Sequence, residues 1–243
     1  MSFWEYVLLF LSVLLGGGAG LLMRRNQPAV LRLLLSFGGS YILGIAALHL
    51  LPGIFAAGQP SAGIWLLLGF FIQMLLEQFS RGVEHGHVHT HSHASTNYGL
   101  QILLGLCLHA FIEGMPLSGY TEFQESAGHM HEGNHLLYSI VIHNPPASFA
   151  LVVLLIQSHF SRGFIIGSLL LFSAMSPLGA LLAERFIVSP TALNQVMAVV
   201  VGSFLHISTT ILFEGDDNTQ HLISWRKMVA ILAGSGLALL TLG

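Results

Sequence analysis

An all-α, polytopic membrane fold is predicted by three observations. Of the 243 residues, 53% are hydrophobic and only 8% charged, where a soluble domain carries about 25% charged residues. The mean hydropathy is +0.75. The apolar residues also gather into runs of about 20, the length a helix needs to cross the hydrocarbon core. Lipid offers backbone groups no hydrogen-bond partner, so such runs fold as helices.

Eight runs qualify, at about 3–23, 33–52, 62–79, 98–119, 136–157, 163–183, 192–213 and 226–242. The first, within "MSFWEYVLLFLSVLLGGGAGLLMRR", lacks the basic leader of a cleaved signal peptide and carries Arg24 and Arg25 after the apolar stretch. It reads as a spanning helix with its amino terminus outside. The second ends in "LHLLP", and the third holds Gln73 and Glu77 towards its inner end. The fourth contains "LHAFIEGMP" and the fifth "VIHNPPASFALVV". The sixth contains "SAMSPLGALLA" and the seventh "FLHIST". Helices fill nearly the whole chain, so 1–243 is expected to be a single transmembrane domain.

Lys and Arg in short loops stay on the cytoplasmic side. With the amino terminus outside, Arg24, Arg25, Arg32, Arg81, Arg162, Arg226 and Lys227 fall inside and Arg185 alone outside. An even number of helices then puts both termini on the extracytoplasmic side, in what is expected to be a bacterial inner membrane. The connection 81–97 becomes a cytoplasmic loop with His85, His87, His89, His91 and His93 at alternate positions. Clustered imidazoles are weak loop ligands for borderline metals. The outer loop before the fifth helix adds His129, His131 and His135.

Composition also excludes function classes. A formal charge of −3 gives no basic field for nucleic acid. One cysteine, Cys107, supports neither a disulfide framework nor a CxxC metal motif. None of the eight apolar runs contains the HExxH of a zinc protease; the one match, His131 to His135, lies in the outer loop. No organic cofactor and no enzymatic activity are expected. The pattern leaves a homodimer open.

An ionisable side chain within a spanning helix is costly and normally serves a site. His109 and Glu113 lie four apart, on one face of the fourth helix. Two readings of the pair stand: a shared divalent cation, or a hydrogen-bonded pair joining helices. His143 in the fifth helix favours the cation. Counted at about 1.5 Å per residue from the outer ends, all three side chains lie at similar depth. Pro145 and Pro146 cannot donate backbone hydrogen bonds, which frees the carbonyls of Val141 and Ile142. A kink beside an ion path is therefore expected, with similar breaks at Pro116 and Pro177. His49, near the outer end of the second helix, is either a residue that receives incoming metal or an interface histidine. His206 in the seventh helix reads as a packing residue. Gln73 and Glu77 read as an exit route or, more simply, as a polar helix end.

Taken together, His-x-x-x-Glu-Gly in the fourth helix, His-x-x-Pro in the fifth, "LHLLP", "SPLGALL" and the histidine-rich loop resemble the ZIP (Zrt/Irt-like) family of divalent-metal transporters. The resemblance implies eight helices arranged three, two and three, the outer triplets forming an inverted repeat, with metal sites on the fourth and fifth helices. The family's His-Asn-x-Pro-Glu-Gly becomes His109, Ala110, Phe111, Ile112, Glu113, Gly114. Its His-Glu-x-Pro-Glu-Gly becomes His143, Asn144, Pro145, Pro146, Ala147, Ser148. Where many members carry Glu before Pro-Leu-Gly, Ser176 stands. The second of the family's paired metal positions is thus degenerate, and Glu113 is the one acid well inside the bundle. A single metal is expected, held by His109, Glu113 and His143, with Asn144 as a further oxygen ligand and His49 and Ser176 on the pathway. Zn²⁺ is the expected substrate, with other divalent transition metals open. The expected function is transport towards the cytoplasm; the alternative is a relative that senses or sequesters metal without transporting it.

Overall fold

The computed structural model describes residues 1–22, 28–83, 96–126, 133–187, 189–213 and 224–242. Every regular element among them is helical: α1 (Phe3–Leu22), α2 (Pro28–Ile45), α3 (Leu51–Ala56), α4 (Ala62–Ser80), α5 (Thr96–Gly114), α6 (Tyr120–Ser126), α7 (His135–Gln157), α8 (Arg162–Phe186), α9 (Pro190–Phe213) and α10 (Trp225–Leu239). The histidines of the 81–97 loop, with His129 and His131, lie outside the described residues.

Seven helical stretches are long and apolar enough to cross a membrane: Phe3–Leu22, Ala29–Ala56, Ala62–Ser80, Asn97–Glu125, His135–Gln157, Arg162–Phe186 and Pro190–Phe213. They match the first seven runs expected from the sequence, mostly with longer ends. The eighth run forms α10, 15 residues of α-helix closed by a 3₁₀ turn at Leu240–Leu242. That falls short of the roughly 20 residues of a full span. Large apolar side chains such as Leu15, Ile64, Phe71, Leu75 and Leu104 point outward. In water they would be a liability, and against acyl chains they are matched.

Capping residues fix several helix starts. Side-chain oxygens of Asn134, Ser161, Ser189 and Ser224 accept from the backbone N–H groups of Leu137, Phe164, Ala192 and Lys227, each meeting one of the donors a helix start leaves unpaired. Prolines act less uniformly than expected. Pro116 opens a 3₁₀ turn, Met115–Gly119, that ends α5. α7 instead runs unbroken through Pro145 and Pro146, and α8 through Pro177. The paired prolines therefore lie inside one helix. α1 covers that turn closely, because a Cβ at Gly16 would collide with the Pro145 carbonyl and Cα, while Gly38 of α2 lies beside the Ile142 carbonyl. A further irregularity is a π-helical turn at Ala46–Leu50, where the Leu51 N–H reaches back to the Ala46 carbonyl.

The most extensive helix contacts are α4 with α9, α1 with α7, α2 with α10 and α5 with α8. Two of these crossings are made backbone to backbone through reciprocal glycines. A Cβ on Gly69 would strike the Val199 carbonyl and one on Gly202 the Leu66 carbonyl; Gly114 and Gly179 stand in the same relation to Ser176 and Phe111. Small residues of this kind let membrane helices approach when no hydrophobic force drives them together. The buried apolar side chains form two clusters. One contains Ile42, Ile45, Leu117 and Ile140, the other Leu35, Leu106, Ala147 and Phe172. His109, Glu113 and His143 lie between the cluster members of α5 and α7, so a polar layer is closed in by apolar packing on both sides.

Gly202→Val is expected to destabilise the protein by about 1–3 kcal/mol, because the Leu66 backbone cannot yield. Gly236→Val, where a side chain meets open space, should leave the thermal midpoint in detergent nearly unchanged; equal losses would refute the close-crossing account.

Candidate metal centre

Helix period and depth together build this site. His109 and Glu113 share one face of α5, and the His109 Nε2 lies 3.1 Å from the Glu113 Oε1. His143 projects from α7 with its ring 6.0 Å from that of His109 and at 89° to it. One ligand atom from each of the three side chains falls within 4.8 Å of the others, and all three residues are buried. Among the described residues this is the one such grouping. α5 and α7 touch along only a short stretch, so the polar side chains themselves bridge the two helices.

The carboxylate is the costly member. Glu113 is 0% exposed, and an ionised acid in that position requires a cation or strong hydrogen bonds. Two imidazoles and one carboxylate are a donor set suited to a divalent transition metal. Beside them, Asn144 and Ser176 are buried as well, and neither the Asn144 Nδ2 nor the Ser176 Oγ meets a hydrogen-bond partner. Ala110 and Ala147 are buried in the second apolar cluster. Where acids would make a second position, the chain therefore offers methyl groups and neutral polar atoms.

The other sequence candidates separate from this centre. His49 sits in the π turn and stacks on His135, ring centroids 4.3 Å apart at 23°. Its Nε2 lies 2.9 Å from the Thr241 Oγ1. That hydroxyl donates to the Ala238 carbonyl at 2.6 Å, so the histidine is the donor of the pair. His135, expected in the outer loop, is instead the first residue of α7 and is buried. It lies about 12 Å from His143 along the helix, eight residues at 1.5 Å each. His206 bonds the Glu77 Oε2 through Nε2 at 2.6 Å and rests edge-on against Phe70. Glu77 is thus paired across the α4–α9 contact rather than being a bare polar end.

Gln73 is the residue whose part the sequence reading missed. It is 1% exposed, and its Oε1 accepts from the His109 Nδ1 at 3.0 Å and from the Ser203 Oγ at 3.0 Å. The available signal was an amide inside an apolar span, four residues before Glu77.

The family model described as "ZIP Zinc transporter" matches residues 5–101 and 84–241. Zinc transporter ZIP9 of Micropogonias undulatus is 25% identical over 155 residues, 60% of this chain and 49% of the relative. Zinc transporter ZIP9-B of Xenopus laevis and Zinc transporter ZIP9 of Xenopus tropicalis are each 26% identical over the same length, 60% of this chain and 50% of theirs. The chain spans about half the length of the curated relatives it matches.

The buried carboxylate separates a cation site from a structural hydrogen-bonded pair. With chelator present, Glu113→Gln is expected to melt no lower than wild type, since it removes a charge from a fully buried position. A clear drop in midpoint would mean that the acid serves to hold α5 in place.

Proposed function

The chain belongs to the ZIP zinc transporter family, and from that premise we propose that it moves a divalent cation, zinc first among them, across a membrane through one intramembrane site. The observation that carries the proposal is the convergence of His109, Glu113 and His143 within 4.8 Å in the buried layer. In the proposed site the two imidazoles and the carboxylate bind the ion, and a fourth position is left for water or for the neutral oxygen of Asn144 or Ser176. An open coordination position suits a transported ion, which must be released in every cycle.

Charge sets the proposed stoichiometry at one. One dication beside one carboxylate leaves a single net positive charge, whereas two dications would leave three in a low-dielectric layer. Ala147 and Ser176 bring no further acid. The same gap favours one specific second reading, a relative that binds metal as a sensor or store without moving it.

The proposal includes the arrangement of eight helices in sets of three, two and three, with α10 as the eighth. An inverted repeat pairs α1 with α8, α2 with α9, α4 with α10 and α5 with α7. Exchanging these partners turns the α4–α9 contact into α10–α2 and the α1–α7 contact into α8–α5. These are the four most extensive contacts of the molecule, and that correspondence supports the repeat, a common design for transporters with a midplane site. The distribution of Lys and Arg supports extracytoplasmic termini, and transport towards the cytoplasm is part of the proposal. The matched relatives are vertebrate proteins, so they lend no support to a bacterial inner membrane in particular.

Zinc flux into proteoliposomes tests the reading. The wild type is expected to take up zinc above protein-free vesicles and to hold one zinc per chain by elemental analysis, with Glu113→Ala reducing both to background. Flux unchanged in Glu113→Ala would remove the site assignment. Binding without flux in the wild type would select the sensor reading.

A further inference from the structure

The metal position needs the His109 Nε2 with its lone pair exposed, and an imidazole does not choose its tautomer unaided. A histidine that ligates through one nitrogen has the other fixed by an acceptor, which orients the ring and raises its basicity. We infer that Gln73 is that positioning residue: its side-chain carbonyl holds the proton of His109 on Nδ1 and so aims Nε2 at Glu113 and the ion. This rests on the site proposed above, and it adds a role for a residue on a third helix, α4.

Three observations carry it. The His109 Nδ1 lies 3.0 Å from the Gln73 Oε1, while Nε2 of the same ring is the nitrogen 3.1 Å from Glu113. The two ring nitrogens are therefore already divided between an orienting partner and the ligand position. Second, Gln73 is itself held, because the Ser203 Oγ on α9 donates to the same oxygen at 3.0 Å. Third, Gln73 is 1% exposed, so water does not compete for His109. The reverse orientation of the amide would donate its N–H₂ to Nδ1 and force the proton onto Nε2, against the carboxylate, where it would occupy the place of the cation. A metal-binding His109 thus requires the carbonyl orientation, with Ser203 as donor.

The consequence is specific to the chemistry of residue 73. A side chain that fills the space without an acceptor loses the tautomer, and a carboxylate keeps it. Zinc affinity of the purified full-length protein, measured by competition with a chromophoric chelator, reads the difference. Gln73→Leu is expected to weaken zinc about 10- to 100-fold, the usual effect of losing such a partner, and Gln73→Glu to bind at least as tightly as wild type. Ser203→Ala should show a loss of the same sign and smaller size, which serves as the test if Gln73→Leu fails to fold. Unchanged affinity in Gln73→Leu, or equal losses in the Leu and Glu variants, would overturn the inference in favour of packing alone. Glu113→Ala in the same assay keeps the two readings apart: zinc binding that depends on Glu113 and not on Gln73 removes only the role of Gln73, whereas binding indifferent to Glu113 removes the site.

Discussion

The structure turns on the burial of one carboxylate. Glu113 lies fully out of reach of solvent in a bundle whose interior is mostly apolar, and an acid there is tolerable only if its surroundings answer the charge. In the proposed site the bound cation answers it, and the residues that place its ligands are assembled outward from Glu113. His109 stands against Glu113, Gln73 against His109, and Ser203 against Gln73. The first link lies within α5, and the other two cross from α5 to α4 and from α4 to α9. The polar layer is therefore a property of several helices held in register, with apolar clusters on either side.

That register depends on how closely the backbones can approach. Helices in lipid gain little from burying leucine against leucine, since the acyl chains are equally apolar. Contact at the glycine crossings brings α4 against α9 and α5 against α8, and the 3.0 Å bond from Ser203 to Gln73 spans the first of them. The site is thus specified twice, by the few polar residues that form it and by the residues with no side chain that let their helices meet.

The central triad could be read from the sequence because two simple counts determine it. Spacing of four puts His109 and Glu113 on one face, and depth from the helix ends brings His143 level with them. Gln73 escaped the same treatment because α4 is apolar on nearly every side, so its period does not tell which face turns towards α5. His135 looked like loop because glycine and polar residues precede it, yet Asn134 caps α7 just before it. α7 also runs helical through Pro145 and Pro146, where α1 packs closely against it at Gly16. These failures share one cause: rotation of a helix about its axis, and the support a neighbour gives it, are settled by tertiary contact.

The α4–α9 crossing has a mechanical side. Two packed rods whose backbones meet at a glycine crossing would tilt about that crossing, as a lever does on a fulcrum. Gln73 is four residues from Gly69, an arm of about 6 Å, and Glu77 eight residues, about 12 Å. A tilt of roughly 10° about the fulcrum carries Gln73 through about 1 Å and Glu77 through about 2 Å on that helical rise. The smaller displacement is enough to stretch a 3.0 Å hydrogen bond past the length at which it holds. A tilt of that size, if α4 makes one, would detach His109 from its support, and the grip on the ion would then follow the attitude of α4.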